Sequence, residues 1–320
     1  MGGGQPPYTV VAMTVVALPD AGWIDLVGPV DGVEMVPWDL VSEPPRRAEI
    51  ELVVPPYMGS REPLVRVREL PRLRAVQLLS AGYDDVVPMI PPGVQLANAG
   101  GVHDASTAEL AVGLALASLR GIPEAVRAQD DGTWLALGER SSLADRRVLI
   151  LGYGSIGRAI AGRLAGFEVC MTAVASRPRP GDELVDRVHG MDELAELLPE
   201  QDVVVLIVPL NEATAGMVDD AFLAAMPRGA LLVNVARGRV VDTDALVRAC
   251  SRGHVRAALD VTEPEPLPPG HPLWSTPGVL ITPHVGGNSS AFRPRAGALV
   301  REQLAALAAG RPLRNVVHTG

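Results

Sequence analysis

Lysine is absent from this 320-residue chain, whose 28 basic residues are all arginine. That absence excludes a Schiff-base cofactor such as pyridoxal phosphate, a Walker-type phosphate loop, and any dehydrogenase built on a Tyr-Lys pair. Each of these needs an amine at a fixed place. Cysteine is nearly absent as well. Cys170 and Cys250 stand alone, without metal-ligand spacing, so no disulfide framework, zinc site or other metal is expected. Positive charge is in deficit: a net charge of -9 argues against nucleic acid or an anionic membrane as partner. No apolar run reaches the ~18 residues of a membrane span, and no basic segment leads into an apolar one at the start. A cytoplasmic protein acting on small molecules is expected.

The apolar share, 48%, is enough for a full core, and the length points to two lobes. Residues 1–7 read as a glycine- and proline-rich head without regular structure. Short apolar runs at 10–18, 52–55, 75–79 and 94–97 alternate with polar helical segments, which predicts a small parallel sheet with crossover helices. Residues 107–119, apolar almost throughout, predict a buried helix joining the lobes. Continuous Val/Leu/Ile runs then follow at 147–151, 167–174, 202–208, 230–235, 257–261 and 279–281. Such runs suit parallel strands covered on both faces. A helical pattern over 290–309 stops at Gly310-Arg311-Pro312 and is expected to pack back on the first lobe. The expected fold class is therefore α/β, with two Rossmann-like, doubly wound parallel-sheet lobes. Residues 1–98 plus 288–320 would form a discontinuous substrate domain, and 99–287 the dinucleotide-binding domain.

The run at 147–151 leads into Gly152-Tyr153-Gly154-Ser155-Ile156-Gly157, which opens a helical stretch and precedes another strand. In that context the glycines mark a dinucleotide loop. Gly152 permits the turn, Gly154 lets the backbone approach a pyrophosphate, and Gly157 lets helix and strand pack closely. Amides near Ser155 and Ile156 would hold the phosphates. An NAD enzyme usually places a carboxylate at the end of the next strand, about 20 residues on. Here no carboxylate occurs between Glu168 and Asp182, and Ser176-Arg177-Pro178-Arg179 follows instead. A hydroxyl and guanidinium groups at Ser176, Arg177 and Arg179 suit a 2′-phosphate, so NADP(H) is expected ahead of NAD(H).

Further along stand Arg237 in Asn234-Val235-Ala236-Arg237-Gly238, Glu265 in Asp260-Val261-Thr262-Glu263-Pro264-Glu265, and His284 in Thr282-Pro283-His284-Val285-Gly286-Gly287. A cation, a carboxylate and an imidazole beside a dinucleotide suit hydride transfer to a 2-oxo acid. The cation binds the substrate carboxylate, the imidazole supplies the proton, and the carboxylate tunes the imidazole.

Taken with Leu79-Ser80-Ala81-Gly82-Tyr83-Asp84, Thr107-Ala108-Glu109 and Val208-Pro209-Leu210-Asn211 with Thr214, these motifs resemble the D-isomer-specific 2-hydroxyacid dehydrogenases over nearly the whole length. The glyoxylate/hydroxypyruvate reductase branch is the nearest in pattern. The resemblance implies an oxidoreductase acting on a small 2-oxo or D-2-hydroxy acid, with the active site in the cleft between the two lobes, and usually a homodimer built through the cofactor lobes. It implies that Arg237 binds the substrate carboxylate, that His284 is the acid in reduction and the base in oxidation, and that Glu265 fixes the histidine tautomer. Glu263 is the alternative carboxylate, and the family spacing from Asp260 selects Glu265. Asp260 would bind the nicotinamide carboxamide. Val208, Pro209, Val235 and Ala236 would line the nicotinamide, with Thr107, Thr214 and Gly286 nearby. Backbone amides of Ser80, Ala81 and Gly82 would meet the substrate carboxylate as an anion nest, with Tyr57 and Met58 closing the pocket. Thr262 stands where many members carry an aromatic residue. No clear arginine besides Arg61 favours a phosphorylated acid, and Trp134 is a candidate apolar wall. Three other readings share these motifs: an NAD-dependent dehydrogenase of a different 2-hydroxy acid, a formate or phosphite enzyme, and a dinucleotide-sensing protein like the C-terminal-binding corepressors. Formate enzymes generally pair the histidine with glutamine, where this chain has Glu265.

Overall fold

The computed structural model describes residues 13–320, so the 1–7 head and the start of the expected 10–18 strand lie outside the described residues. The chain divides into two compact units. One holds the chain up to Val102 together with Ser290–Gly320, and the other is His103–Ser289.

In the first unit the chain runs β1 (Thr14–Leu18), α1 (Ala21–Val27), β2 (Val33–Pro37), β3 (Ile50–Val53), β4 (Ala75–Gln77) and β5 (Gln95–Ala97). The second unit follows with α2 (Asp104–Arg120), α3 (Ile122–Asp130), β6 (Arg147–Leu151), α4 (Ser155–Leu164), β7 (Cys170–Val174), β8 (Arg179–Pro180) and β9 (Arg187–His189). It continues through α5 (Leu194–Leu197), β10 (Val203–Leu206), α6 (Asp220–Ala225), β11 (Ala230–Asn234), α7 (Thr243–Ser251), β12 (Val255–Leu259) and β13 (Val279–Ile281). The chain then re-enters the first unit as α8 (Phe292–Ala308) and β14 (Val316–Thr319).

The second unit carries an eight-stranded sheet in the order β13-β12-β11-β10-β6-β7-β9-β8, parallel except for the β8–β9 pair. Its strands read as unbroken apolar runs because alternate side chains enter different cores. Leu149 and Leu151 join Leu206 and Leu232 on one face, whereas Val148 and Ile150 join Val205 and Val233 on the other. Helix α2 lays Ala108, Ala111, Ala115 and Leu119 into that second core. It ends at Gly121 in the left-handed region (φ 71), whose N–H caps the Ala117 carbonyl. Among the described residues no single helix is long and apolar enough to cross a membrane.

The first unit holds a six-stranded sheet, β14-β5-β4-β3-β1-β2, with only β14 antiparallel. Helix α8 buries Phe292, Ala296, Val300 and Leu304 in the same core as Val16, Leu18 and Leu52, which is the packing expected of 290–309. A fully buried amide pair fastens it. Gln303 donates to the Gln77 side chain at 2.6 Å and to the Arg314 carbonyl at 2.8 Å, and accepts from the Arg314 N–H at 2.9 Å. Gln303→Leu would strand the Gln77 oxygen and the Arg314 amide. An unpaired buried group costs ~1–3 kcal/mol, so the first unit of this variant should show a lower urea midpoint, while dinucleotide affinity holds.

Strand positions matched the apolar runs, but four strands had no sequence signal. Strand β2 interposes Glu34 among partly exposed residues and ends in Pro37, so it lacks a clean period. Strand β14 is an exposed edge. The β8–β9 hairpin has two- and three-residue strands, the first of them ending in Pro180, too short for periodicity to register.

Candidate active site

Strands β10 and β7 flank β6 on opposite sides, so the chain reverses its direction of sheet building there. The crevice at the carboxyl ends of strands at such a switch point is where dinucleotides bind. The glycine loop occupies it, and each glycine has a distinct physical reason. Gly152 adopts φ +112, and a Cβ there would lie 2.5 Å from the Ile207 carbonyl oxygen. A Cβ at Gly157 would sit 2.1 Å from the Gly152 carbonyl oxygen, so helix α4 can approach β6 only without one. A Cβ at Gly154 would meet nothing within 4 Å. That is the open side by which a pyrophosphate can reach backbone amides. The N-terminus of α4 at Ser155 and Ile156 directs free N–H groups to the same place. The Ser155 hydroxyl donates to Asp104 on α2. These residues fit a nicotinamide dinucleotide.

Beside the loop is a cavity of about 310 Å³ lined by Tyr153, Gly154, Ser155, Arg158, Arg179 and Asp182, among others. Arg179 lines this cavity, whereas Ser176 and Arg177, exposed on the β7–β8 connection, are not part of the lining. Sequence reasoning missed the two other charged residues of the cavity. Arg158 follows Gly157 by one position in α4, and the hairpin folds Asp182 back to the loop. Asp182 accepts from the Tyr153 hydroxyl at 3.0 Å, from Arg158 Nε at 3.0 Å and from the Leu184 N–H at 2.9 Å. The Leu184 amide foremost, with Tyr153 and Arg158, holds its carboxyl below the usual range despite partial desolvation.

The catalytic candidates come from three loops of the same unit. Asn234, buried at the end of β11, donates to the Arg237 carbonyl at 3.0 Å and accepts from the Ala236 N–H at 3.0 Å, which sets the turn that presents Arg237. Gly238 lets this loop abut the next. A Cβ there would fall 1.9 Å from the Thr262 carbonyl oxygen. His284 Nδ1 is 2.5 Å from Glu265 Oε1. Burial pushes the Glu265 carboxyl up, but the hydrogen bond and charge of His284, the Thr262 backbone and the charge of Arg237 outweigh it, so it titrates below its ordinary value. The carboxylate thus stands anionic beside the imidazole, leaving Nε2 for a substrate. Side chains 46% and 40% exposed keep the pair reachable.

Holding His284 in place takes backbone strain. Its φ of +53 lies in the left-handed region, which costs a non-glycine residue about 1–3 kcal/mol. Asp260, 3% exposed, offsets it. Its carboxylate accepts from the Thr282 hydroxyl at 2.6 Å, the Val285 N–H at 2.9 Å and the Gly286 N–H at 2.8 Å, and its carbonyl accepts from the His284 N–H at 2.8 Å. Sequence reading assigned Asp260 to the carboxamide and did not foresee this pinning. A carboxylate offers about four acceptor positions, so one remains for a ligand.

The other expected residues divide by unit. Val208, Val235 and Ala236 are buried near the sheet's carboxyl edge, and Pro209 is exposed beside them. The Thr214 hydroxyl donates to the Pro209 carbonyl at 2.6 Å, shaping that loop. A Cβ on Gly286 would lie 2.8 Å from Asp260 Oδ2 and 3.6 Å from Thr107 Oγ1. His103 binds the Gly287 carbonyl at 3.3 Å and His271 caps its own turn, both structural tasks. In the first unit, Ser80 donates to the Gly82 carbonyl at 2.8 Å and Asn98 to the Ala81 carbonyl at 2.6 Å. Tyr57 stacks on Phe292 at 4.1 Å, and Met58 is exposed.

A dinucleotide crevice with a histidine–carboxylate pair and an arginine at its strand ends defines an NAD(P)-dependent oxidoreductase. Comparison with known proteins makes the class specific. Residues 112–286 match the profile of the D-isomer specific 2-hydroxyacid dehydrogenase NAD binding domain. A glyoxylate reductase of Korarchaeum cryptofilum is 36% identical over 260 residues, 78% of this chain and 77% of that protein. Among solved structures, a D-isomer specific 2-hydroxyacid dehydrogenase of Xanthobacter autotrophicus Py2 in complex with NADPH and MES is 30% identical. It covers 96% of this chain and 99% of its own, with a TM-score of 0.81. The NADPH-dependent glyoxylate/hydroxypyruvate reductase of Sinorhizobium meliloti, in complex with NADP and malonate, is 27% identical, covering 95% and 97%, with a TM-score of 0.76. The chain belongs to the D-isomer specific 2-hydroxyacid dehydrogenase family, and both of its units have that family's α/β fold.

Proposed function

We propose that this dehydrogenase reduces a small 2-oxo acid, glyoxylate or hydroxypyruvate, with NADPH. The observation that carries the chemistry is the 2.5 Å contact between His284 Nδ1 and Glu265 Oε1. With Nδ1 held by a carboxylate, the protonated ring aims Nε2–H outward as an acid. Arg237 binds the substrate carboxylate in bidentate fashion and polarises the neighbouring carbonyl. The reduced nicotinamide, when bound, supplies the hydride that adds to the carbonyl carbon. As the carbonyl oxygen gains charge, His284 gives it the Nε2 proton, and the imidazolium–Glu265 ion pair becomes a neutral imidazole beside a carboxylate. Oxidation runs the same proton back to Nε2.

In this reading Asp260 holds the His284 loop and offers its remaining acceptor position to the carboxamide. Val208, Pro209, Val235 and Ala236, with Thr107, Thr214 and Gly286, shape the nicotinamide side, and Gly152, Gly154, Ser155, Ile156 and Gly157 the pyrophosphate side. Amides of Ser80, Ala81 and Gly82 assist with the substrate carboxylate, and Tyr57 and Met58 bound the substrate's far end. Arg179 in the loop-side cavity supports NADP(H), as do the NADPH and NADP bound in the two structural relatives. A homodimer is part of the proposal. Trp134, 98% exposed, and the exposed Ile122 and Val126 of α3 are apolar side chains that a second copy could cover.

Following reduced-nicotinamide absorbance with glyoxylate or hydroxypyruvate, NADPH oxidation should exceed that of NADH by about tenfold or more in kcat/KM, ~1.4 kcal/mol. Faster use of NADH would overturn the cofactor assignment. Consumption of neither would overturn the substrate class.

A further inference from the structure

Two guanidinium groups line the cavity beside the glycine loop, and one aromatic residue connects to both. Arg179 donates to the Tyr153 carbonyl, and its guanidinium carbon lies 5.9 Å from the Tyr153 ring centroid. Arg158 is joined to the same tyrosine through Asp182, which takes the Tyr153 hydroxyl on one oxygen at 3.0 Å and Arg158 Nε on the other at 3.0 Å. We infer that Arg158 and Arg179 together bind the adenosine 2′-phosphate and that Tyr153 is the positioning residue for both. The inference rests on the NADP(H) reading above.

Three physical points carry it. Arg158 belongs to the first turn of α4, so its charge stands at the phosphate end of the helix, where the peptide dipoles also favour an anion. Among the described residues two of its nitrogens are engaged, Nε with Asp182 and Nη2 with Glu183. An arginine has five N–H donors, so others remain for a phosphate. Asp182, the one carboxylate lining this cavity, is unsuited to a ribose 2′-hydroxyl. The Tyr153 hydroxyl, Arg158 Nε and the Leu184 and Val185 amides already occupy the roughly four acceptor positions of a carboxylate. Its charge is spread over those donors, while each arginine has N–H donors beyond the ones in these hydrogen bonds. Burial, and then the bond to Asp182, pushes the Tyr153 phenol up to about 12, so it remains a hydrogen donor at working pH.

The test is calorimetric binding to the whole protein of adenosine 2′,5′-bisphosphate and of adenosine 5′-phosphate. Wild type should prefer the bisphosphate. Arg158→Ala should weaken the bisphosphate about tenfold and the monophosphate less than about twofold, in keeping with loss of one charged hydrogen-bond donor. Tyr153→Phe should weaken the bisphosphate about threefold with the same selectivity, and Arg158→Gln should repeat the Arg158→Ala result with less disturbance of packing. Equal affinity of wild type for the two nucleotides would remove the NADP(H) reading and the inference with it. A wild-type preference that survives in both Arg158 variants would overturn the inference alone. So would an equal weakening of both nucleotides, since that marks a structural role.

Discussion

Replacing Arg237 by alanine is expected to lower kcat/KM for a 2-oxo acid by about three orders of magnitude, ~4 kcal/mol, while NADPH binds within about twofold of wild type. Truncating one partner of a desolvated, charge-assisted pair typically costs ~2–5 kcal/mol, and here the partner left behind is the substrate carboxylate. The dinucleotide is spared because the Arg237 turn is set by Asn234 through backbone bonds to residues 236 and 237, which survive the truncation. Arg237→Lys should recover only a small part of the loss, because an ammonium cannot reproduce the planar fork. Steady-state kinetics with a parallel fluorescence titration of NADPH checks both halves. Unchanged kcat/KM in Arg237→Ala would sink the mechanism.

His284→Gln should act differently. Glutamine keeps an amide near Glu265 but has no proton to give at neutral pH, so kcat should fall about 10²- to 10⁴-fold, the usual span for general acid catalysis, with little change in KM. The histidine–carboxylate pair also has an acid limit. The Glu265 carboxyl is held below its ordinary value by His284 despite burial. A depressed carboxylate favours the folded pair above the unfolded pKa of ~4.3, and that contribution is lost as the pH falls through the lower folded value. A side-chain carboxyl NMR titration of wild type should therefore place the Glu265 midpoint below ~4.3, and His284→Gln should move it upward. A Glu265 midpoint at or above the ordinary value in wild type would show that the pair does not form.

The glycine loop was legible because its requirements are local. Gly152 needs a positive φ and Gly157 a missing Cβ, and both follow from which residue stands where between a strand and a helix. The buried strands were legible for a similar reason: β6 and β10 are covered on both faces, and continuous apolar residues are the only solution. Edge strands β2 and β14 carry weaker constraints, because one face or one end meets solvent. Arg237, Glu265 and His284 could be singled out by residue type and motif, since few side chains can serve as carboxylate anchor, proton donor and tuning group.

What the sequence by itself determined is the set of chemical groups and the order in which the chain delivers them: dinucleotide loop, arginine, glutamate, histidine. Only the tertiary structure decided which of those groups are held by which others. Asp260 pins the His284 turn across more than 20 positions, and Asp182 reaches Tyr153 and Arg158 through a hairpin that has no apolar period. The physical reason is the same in both cases. A carboxylate's role depends on the donors that surround it, and those donors are brought together by sheet pairing and loop return, which residue type and spacing do not encode.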